Sequence, residues 1–246
     1  MPIVTSDDTS IYFEETGEGR PLLLLGPGGI RANIGRWKDY VFDPLVEFEA
    51  DFHLIAFDER NSGRSSGPLV LDDPWSSYCD DACSLLDHLR IGSLSVLGAC
   101  VGASHALRLI ERLGPRVQSA VIIQPIGVAA ETEASWHSHR RSQTLDRWAC
   151  TLMDDVPGLD RGLAFEYCEK MLSSDFVFSI PRETATRFEL PMLVFPGIDE
   201  IHSTEIAREV AGVAQNAEFV PDWRRSPDAV SASISRIRNF ILESAA

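Results

Sequence analysis

The residues best suited to chemistry are Cys100 and its small neighbours in Gly98-Ala99-Cys100-Val101-Gly102. An apolar run, Ser93 to Leu97, leads into this pentapeptide, and a helix-period segment from Val101 to Leu113 leaves it. A sharp strand-to-helix turn forces its central residue into strained backbone angles. Small residues two positions before and after relieve the crowding. The central side chain then stands above the sheet at a helix N-terminus. A helix end lowers a thiol pKa, and the thiolate is the reactive form. The N–H of Val101 is free to face a developing oxyanion. Free cysteines are ordinarily small buried hydrophobes. The flanking strand, the helix and the glycine spacing predict a nucleophile position instead.

Such a turn needs a sheet behind it, and apolar runs alternate with helical segments along the chain. That alternation predicts an α/β fold with a mostly parallel central sheet flanked by helices. Ile3-Val4 and Ser10 to Glu14 read as an antiparallel hairpin closed near Asp7-Asp8. Pro21 to Leu25 is a buried strand running into Gly26-Pro27-Gly28-Gly29, and His53 to Asp58 is another. A helix begins at Pro74, with Asp73 as N-cap, and runs to about Arg90. Gln118 to Gln124 and Met192 to Phe195 are further strands, and Glu218 to Val220 is an edge strand. Ser203 caps a helix reaching Val213. A last helix follows Ser226-Pro227, with Val230, Ile234, Ile237 and Ile241 on one face.

The totals agree with one globular domain. The chain has 246 residues, 44% of them apolar and 24% charged, enough for a full core. A net charge of −15 repels duplexes and anionic bilayers, so neither nucleic acid nor membrane is an expected partner. No apolar run approaches a membrane span. The opening residues, Met1 to Asp8, show neither a basic stretch nor an apolar core, so no secretory leader is expected. Five cysteines, an odd number, argue against a disulfide framework and for a reducing cytoplasm. The expected partner is a small-molecule substrate, and a homodimer is left open.

Taken together the motifs resemble the α/β-hydrolase superfamily over essentially the whole length. The carrying residues are the Leu22-to-Gly29 strand and glycine turn, and Trp37 downstream of it. Asp58-Glu59-Arg60-Asn61-Ser62-Gly63-Arg64-Ser65 is similar to the superfamily's Asp-x-Arg-Gly-x-Gly-x-Ser stretch. Then come Cys100 and Gly197-Ile198-Asp199, similar to its Gly-x-x-Asp acid turn. The resemblance implies an α/β-hydrolase fold, residues 1–246, with a helical lid inserted at 128–190. It makes Asp199 the acid, while Asp58, a rival, is expected to hold the Arg60 and Ser65 turn together. It also implies an oxyanion hole from Val101 and a second amide in the Gly26-to-Ile30 loop. Pro27 has no N–H, which leaves Gly28 or Gly29. Trp37, Trp136 and Trp148 are the expected pocket aromatics, the last two from the lid. No metal or other cofactor is expected.

One element of the superfamily pattern is missing. Its catalytic histidine follows the last strand, where this chain reads Val220-Pro221-Asp222-Trp223-Arg224-Arg225-Ser226-Pro227, and no histidine follows His202. His53 is expected at the far end of a strand. His88 and His105, both in helices, are expected to be structural. His137 and His139 form a His-x-His in the lid that lacks further metal ligands. His202 is the best substitute, three residues after Asp199 on the loop that should rim the site. Asp199 or Glu200 would orient it. A thiol needs less help from a base than a hydroxyl, because it ionises several units lower. Among the other cysteines, Cys79 and Cys83 read as core, and Cys150 and Cys168 as buried in the lid.

Two classes of function are consistent with this pattern. The first is a cysteine-dependent hydrolase of a small, mostly apolar ester, lactone or thioester, acting through an acyl-thioester. The second is a binding or signalling protein on the same fold, or a lyase, supported by the missing late histidine.

Overall fold

A computed structural model describes residues 2–131, 133–137, 141–199 and 201–244. His139 and Glu200 lie outside them. The eight strands are β1 (Ile3–Ser6), β2 (Thr9–Thr16), β3 (Arg20–Leu25), β4 (Phe52–Phe57), β5 (Leu94–Ala99), β6 (Val117–Ile123), β7 (Met192–Phe195) and β8 (Ala217–Phe219). They form one sheet in the order β1-β2-β4-β3-β5-β6-β7-β8. β1 and β2 pair antiparallel, β2 joins β4 antiparallel, and every later pairing is parallel.

Nine helices are described: α1 (Pro44–Glu47), α2 (Pro74–His88), α3 (Val101–Leu113), α4 (Glu133–Ser135), α5 (Arg141–Asp155), α6 (Arg161–Met171), α7 (Arg182–Ala185), α8 (Thr204–Val213) and α9 (Pro227–Ser244). The caps read from sequence are in place. Asp73 accepts from the Ser76 amide at the start of α2, and Ser203 from the Ile206 amide at the start of α8.

Helices cover both faces of the sheet, which is why its central strands are apolar throughout rather than alternating. In β3, Leu23 and Leu25 enter one core with α2, α3 and α8, while Leu22 and Leu24 enter the other with α9. The predicted stripe of α9 is real, with Ile234, Ile237 and Ile241 buried. Between β6 and β7 the helices α4 to α7 form an insertion with its own core of Trp136, Trp148, Tyr167, Met171 and Phe178. Trp75 of α2 donates its indole N–H to the Met171 carbonyl (3.1 Å), tying the insertion to the body. A bidentate pair of Arg31 with Asp155 (2.5 and 2.8 Å) ties the end of α5 to the loop after β3. No helix among the described residues is long and apolar enough to cross a membrane.

Some side chains depart from expectation. Trp37 is fully buried and lines no cavity. It lies in a 3-10 turn, Ile34–Asp39, where residues three apart eclipse. Ile34 and Trp37 therefore both point into the core, and Trp37 meets Tyr40 edge-on. Trp136 is likewise buried, packed on Phe178 within the insertion. Cys150 is exposed rather than buried, whereas Cys79 and Cys168 are buried. Asp58 does hold the turn after β4, but through the amides of Arg64 (2.8 Å) and Ile34 (3.0 Å). Arg60 pairs instead with buried Asp81.

Candidate active site

Parallel register brings three loops to one rim of the sheet. Leu25 lies opposite Gly98, Ala99 opposite Ile123, and Ile123 opposite Phe195. The Gly26–Gly29 turn, Cys100 and the Pro196–Asp199 loop therefore emerge side by side, at the strand ends where open α/β sheets place their ligands.

Cys100 is the hinge between β5 and α3, with φ 56° and ψ −119°. A non-glycine residue there carries roughly 1–3 kcal/mol of strain, held in place by its surroundings. The surroundings explain the glycine spacing. A Cβ at Gly102 would lie 2.0 Å from the Leu25 carbonyl oxygen, and one at Gly98 2.2 Å from the Gly102 carbonyl oxygen. The turn closes only because both are absent. Gly102→Ala is expected to destabilise the fold by about 3 kcal/mol, since the clash is with backbone that cannot rotate away. The shift of a urea unfolding midpoint measures it.

His202 reaches the same rim by a tight loop. A Cβ at Gly197 would fall 2.2 Å from that of His202, so the missing side chain lets the chain curl back on itself. Asp199 fastens the curl, its Oδ1 accepting the amides of Ile201 (3.0 Å) and His202 (2.9 Å). The Nδ1 of His202 sits 2.9 Å from both oxygens of Asp199. The imidazole also lies beside the sulfur of Cys100, and the amides of Val101 and Gly28 are near enough to act on it electrostatically. Of the two glycines the sequence left open, Gly28 is the one whose amide meets the sulfur.

The electrostatics follow from this arrangement. Burial alone would raise the Cys100 thiol, but the imidazole and the two amides outweigh it and hold the thiol below its ordinary value. Burial likewise opposes a charge on His202, yet the sulfur and the Asp199 carboxylate together push the imidazole up to about 9. For Asp199 the contacts with His202 win over partial burial and lower the carboxyl. The lowered thiol and the raised imidazole thus favour sharing a proton between sulfur and ring.

The loop after β8, where the superfamily has its histidine, is occupied by Trp223. Its indole N–H donates to the Pro196 carbonyl (2.7 Å) and its ring packs on Phe195. It props the acid loop from beneath. The remaining described histidines stand apart from Cys100. His53 begins β4 beside Glu15, His88 packs on Phe13, and His137 is exposed. His105 is buried against Glu59 (2.7 Å).

Two neighbours of the site were not anticipated. Tyr40 donates its hydroxyl to the side-chain oxygen of Gln124, and burial together with the nearby Cys100 sulfur raises the phenol well above its usual value. Gln124 follows β6 with φ 50°, beside the hinge whose Cys100 amide donates to the Ile123 carbonyl. A polar residue at a strand's C-terminal end was the available signal.

A cavity of about 380 Å³ opens above Cys100 and His202. Trp148 of α5 lines it and Trp136 does not. Apolar side chains, Ile30, Ile126 and Ile201, share the wall with arginines.

Comparison with known proteins agrees with the architecture. A family model for the alpha/beta hydrolase fold matches residues 21–147, just over half of the chain, and the chain belongs to that family. A putative non-heme chloroperoxidase of Synechocystis is 30% identical over 132 residues, 51% of this chain and 46% of the relative. The proline iminopeptidase of Xanthomonas citri is 26% identical over 179 residues, 69% of this chain and 53% of the relative. The matches thus span about half the length of these curated relatives. Among solved structures, an enol-lactonase from Burkholderia xenovorans superposes with a TM-score of 0.71 at 16% identity, covering 98% of this chain and 100% of that one. Est816, an N-acyl homoserine lactone degrading enzyme, gives 0.69 at 21% identity, with 98% and 100% covered. At such identities the likeness concerns the fold.

Proposed function

We propose that the chain is a hydrolase of small carboxylic esters, lactones or thioesters in which Cys100 is the nucleophile. The observation that carries this is one sulfur meeting the His202 imidazole and the amides of Gly28 and Val101 together. The Cys100 thiolate adds to the substrate carbonyl. Negative charge gathers on the carbonyl oxygen, which takes over the two amides from the sulfur. As the tetrahedral adduct collapses, the carbon–oxygen or carbon–sulfur bond to the leaving group breaks, and His202 gives that group its proton. The neutral imidazole then takes a proton from water, whose oxygen attacks the acyl-thioester. Collapse releases the carboxylic acid, and the thiolate and imidazolium are restored. Asp199 is the positioning residue, fixing Nδ1 so that Nε2 serves the sulfur.

The insertion at 128–190 is read as the lid, with Trp148 facing the cleft and Arg31–Asp155 as its latch. The hydrolytic reading draws support from an enol-lactonase and an N-acyl homoserine lactone degrading enzyme that share the fold. A non-catalytic binder drew its support from the missing late histidine. With an imidazole already on the sulfur, that argument loses its force.

The test is to mix the protein with 4-nitrophenyl acetate and follow both 4-nitrophenolate release and intact mass after an acid quench. Turnover with a transient acetyl adduct on a Cys100 peptide is expected. Steady turnover with the label elsewhere, or no turnover on esters, lactones and thioesters alike, rejects the assignment.

Asp199→Asn keeps an oxygen for the loop amides but removes one of the two groups that hold up the imidazole, the Cys100 sulfur being the larger. His202 is expected to fall from about 9 toward its ordinary 6.5, read by an NMR titration of the ring protons. Turnover should fall roughly 10- to 100-fold, less than the 10⁴-fold of a buried serine-triad aspartate, since a thiol depends less on its base. The half-exposed setting of Asp199 also screens its charge.

A further inference from the structure

The cleft contradicts the charge of the molecule around it. The chain carries −15 net, yet the cavity over Cys100 has three arginines in its wall, Arg31, Arg36 and Arg147, and no acidic side chain lines it among the described residues. Arg31 is committed to the bidentate pair with Asp155. Arg36 and Arg147 make no ion pair, side-chain hydrogen bond or ring contact among the described residues, whereas most arginines of this chain make at least one. The two come from separate elements, the 3-10 turn Ile34–Asp39 and α5, and line the same cavity as Cys100. Arg36 rises from the turn after β3, and its Cγ lies 3.1 Å from where a Gly28 Cβ would stand, beside the amide that meets Cys100. Arg147 comes from α5, adjacent in sequence to Trp148, whose indole packs over Gly29.

Two guanidiniums in the wall of one cavity with Cys100 have a use beyond solubility in a chain of this net charge. Guanidinium offers a planar fork of donors that matches a carboxylate. A cleft of one sign with low-dielectric walls also concentrates ligands of the other sign. The size, about 380 Å³, is at the small end for ligand sites and leaves no room for a bulky nucleotide carrier.

We infer that the substrate is a small ester or lactone bearing a free carboxylate, which Arg36 and Arg147 hold while Cys100 meets the carbonyl. This rests on the hydrolase reading for its chemistry, and it replaces the mostly apolar substrate expected from sequence.

The test separates the two. Iodoacetate and iodoacetamide place the same reactive carbon on Cys100 and differ in charge. The ratio of their alkylation rates at Cys100 is compared between the parent and the doubly substituted Arg36→Gln, Arg147→Gln protein. The ratio is expected to fall at least fivefold in the double variant. It should be retained in Arg36→Lys, Arg147→Lys, and shrink as ionic strength rises from about 0.01 M to about 1 M, where the Debye length drops from about 30 Å to 3 Å. A ratio unchanged by removing both guanidiniums overturns the inference. In parallel, kcat/KM is compared for 4-nitrophenyl butyrate and 4-nitrophenyl hemiglutarate, which differ by the terminal carboxylate. The hemiglutarate-to-butyrate ratio should fall at least tenfold in the glutamine variant, and an equal loss on both esters overturns the inference as well. If neither ester is turned over but alkylation keeps its charge preference, the hydrolase reading fails and the anion site stands.

Discussion

Cys100→Ala is expected to remove ester turnover, by roughly 10³-fold or more, while leaving the fold intact. The sulfur is the atom on which the imidazole and both amides converge, so its loss removes the nucleophile and leaves only the amides as a residual environment. The substitution should be mild structurally. Cys100 is the N-cap residue of α3 but makes no side-chain cap hydrogen bond, so no helix cap is lost. The strained φ of 56° is present with either side chain. A stability change under about 1 kcal/mol follows, checked by thermal melting alongside the assay. Cys100→Ser should be nearly as inactive, because a hydroxyl ionises far above a thiol and one imidazole does not make up the difference. Turnover that survives in Cys100→Ala would remove the sulfur from the chemistry altogether.

His202→Ala should change the pH dependence as well as the rate. In the parent, alkylation of Cys100 by iodoacetamide should rise with pH around a midpoint below that of an ordinary thiol, because the imidazole and amides outweigh burial. Removing the imidazole leaves burial opposed by the amides alone, and the midpoint should move up. The ester-hydrolysis profile of the parent should have two limbs. Its acid limb follows the depressed thiol. Its alkaline limb lies at about 9, where His202 loses the proton it gives to the leaving group. In His202→Ala the alkaline limb should vanish and the plateau rate should drop by about 10²- to 10⁴-fold. Linkage supplies a further sign. The folded imidazole titrates at about 9 and the free one near 6.5. Its contribution to stability is therefore complete below about 6.5 and is lost as pH rises through about 9. An alkylation midpoint indifferent to His202 would show that the contact with the sulfur does not govern its reactivity.

Much of the architecture was legible because parallel strands buried on both faces leave long apolar runs, and caps such as Asp73 and Ser203 are local signals. The bounds of α3, β7 and α8 agree with the residues read from sequence. The hinge at Cys100 was legible for the same reason, since the glycines on either side answer to backbone contacts formed within one strand–turn–helix unit and its neighbouring strand. Trp37, Trp136 and Cys150 were misread because composition says that an aromatic or a thiol is present and not which way it faces. Trp37 was sent into the core by the eclipsed geometry of a 3-10 turn. Cys150 lies on the outer face of α5, two positions from the buried Trp148 and Leu152, and residues two apart on a helix point to different sides.

The sequence by itself determined the layered fold, the family, the strained cysteine and the absence of a histidine after the last strand. Those are properties of short segments, or of their order. Tertiary structure decided what no segment carries. It decided that the Gly197 curl brings His202 beside the sulfur, and that the Gly28 amide acts on that sulfur. It also decided that Arg36 and Arg147, 111 positions apart by their numbers, line one cavity in which no carboxylate stands among the described residues. Those outcomes depend on how parallel register sets three distant loops along one rim, and register is fixed by packing across the whole sheet.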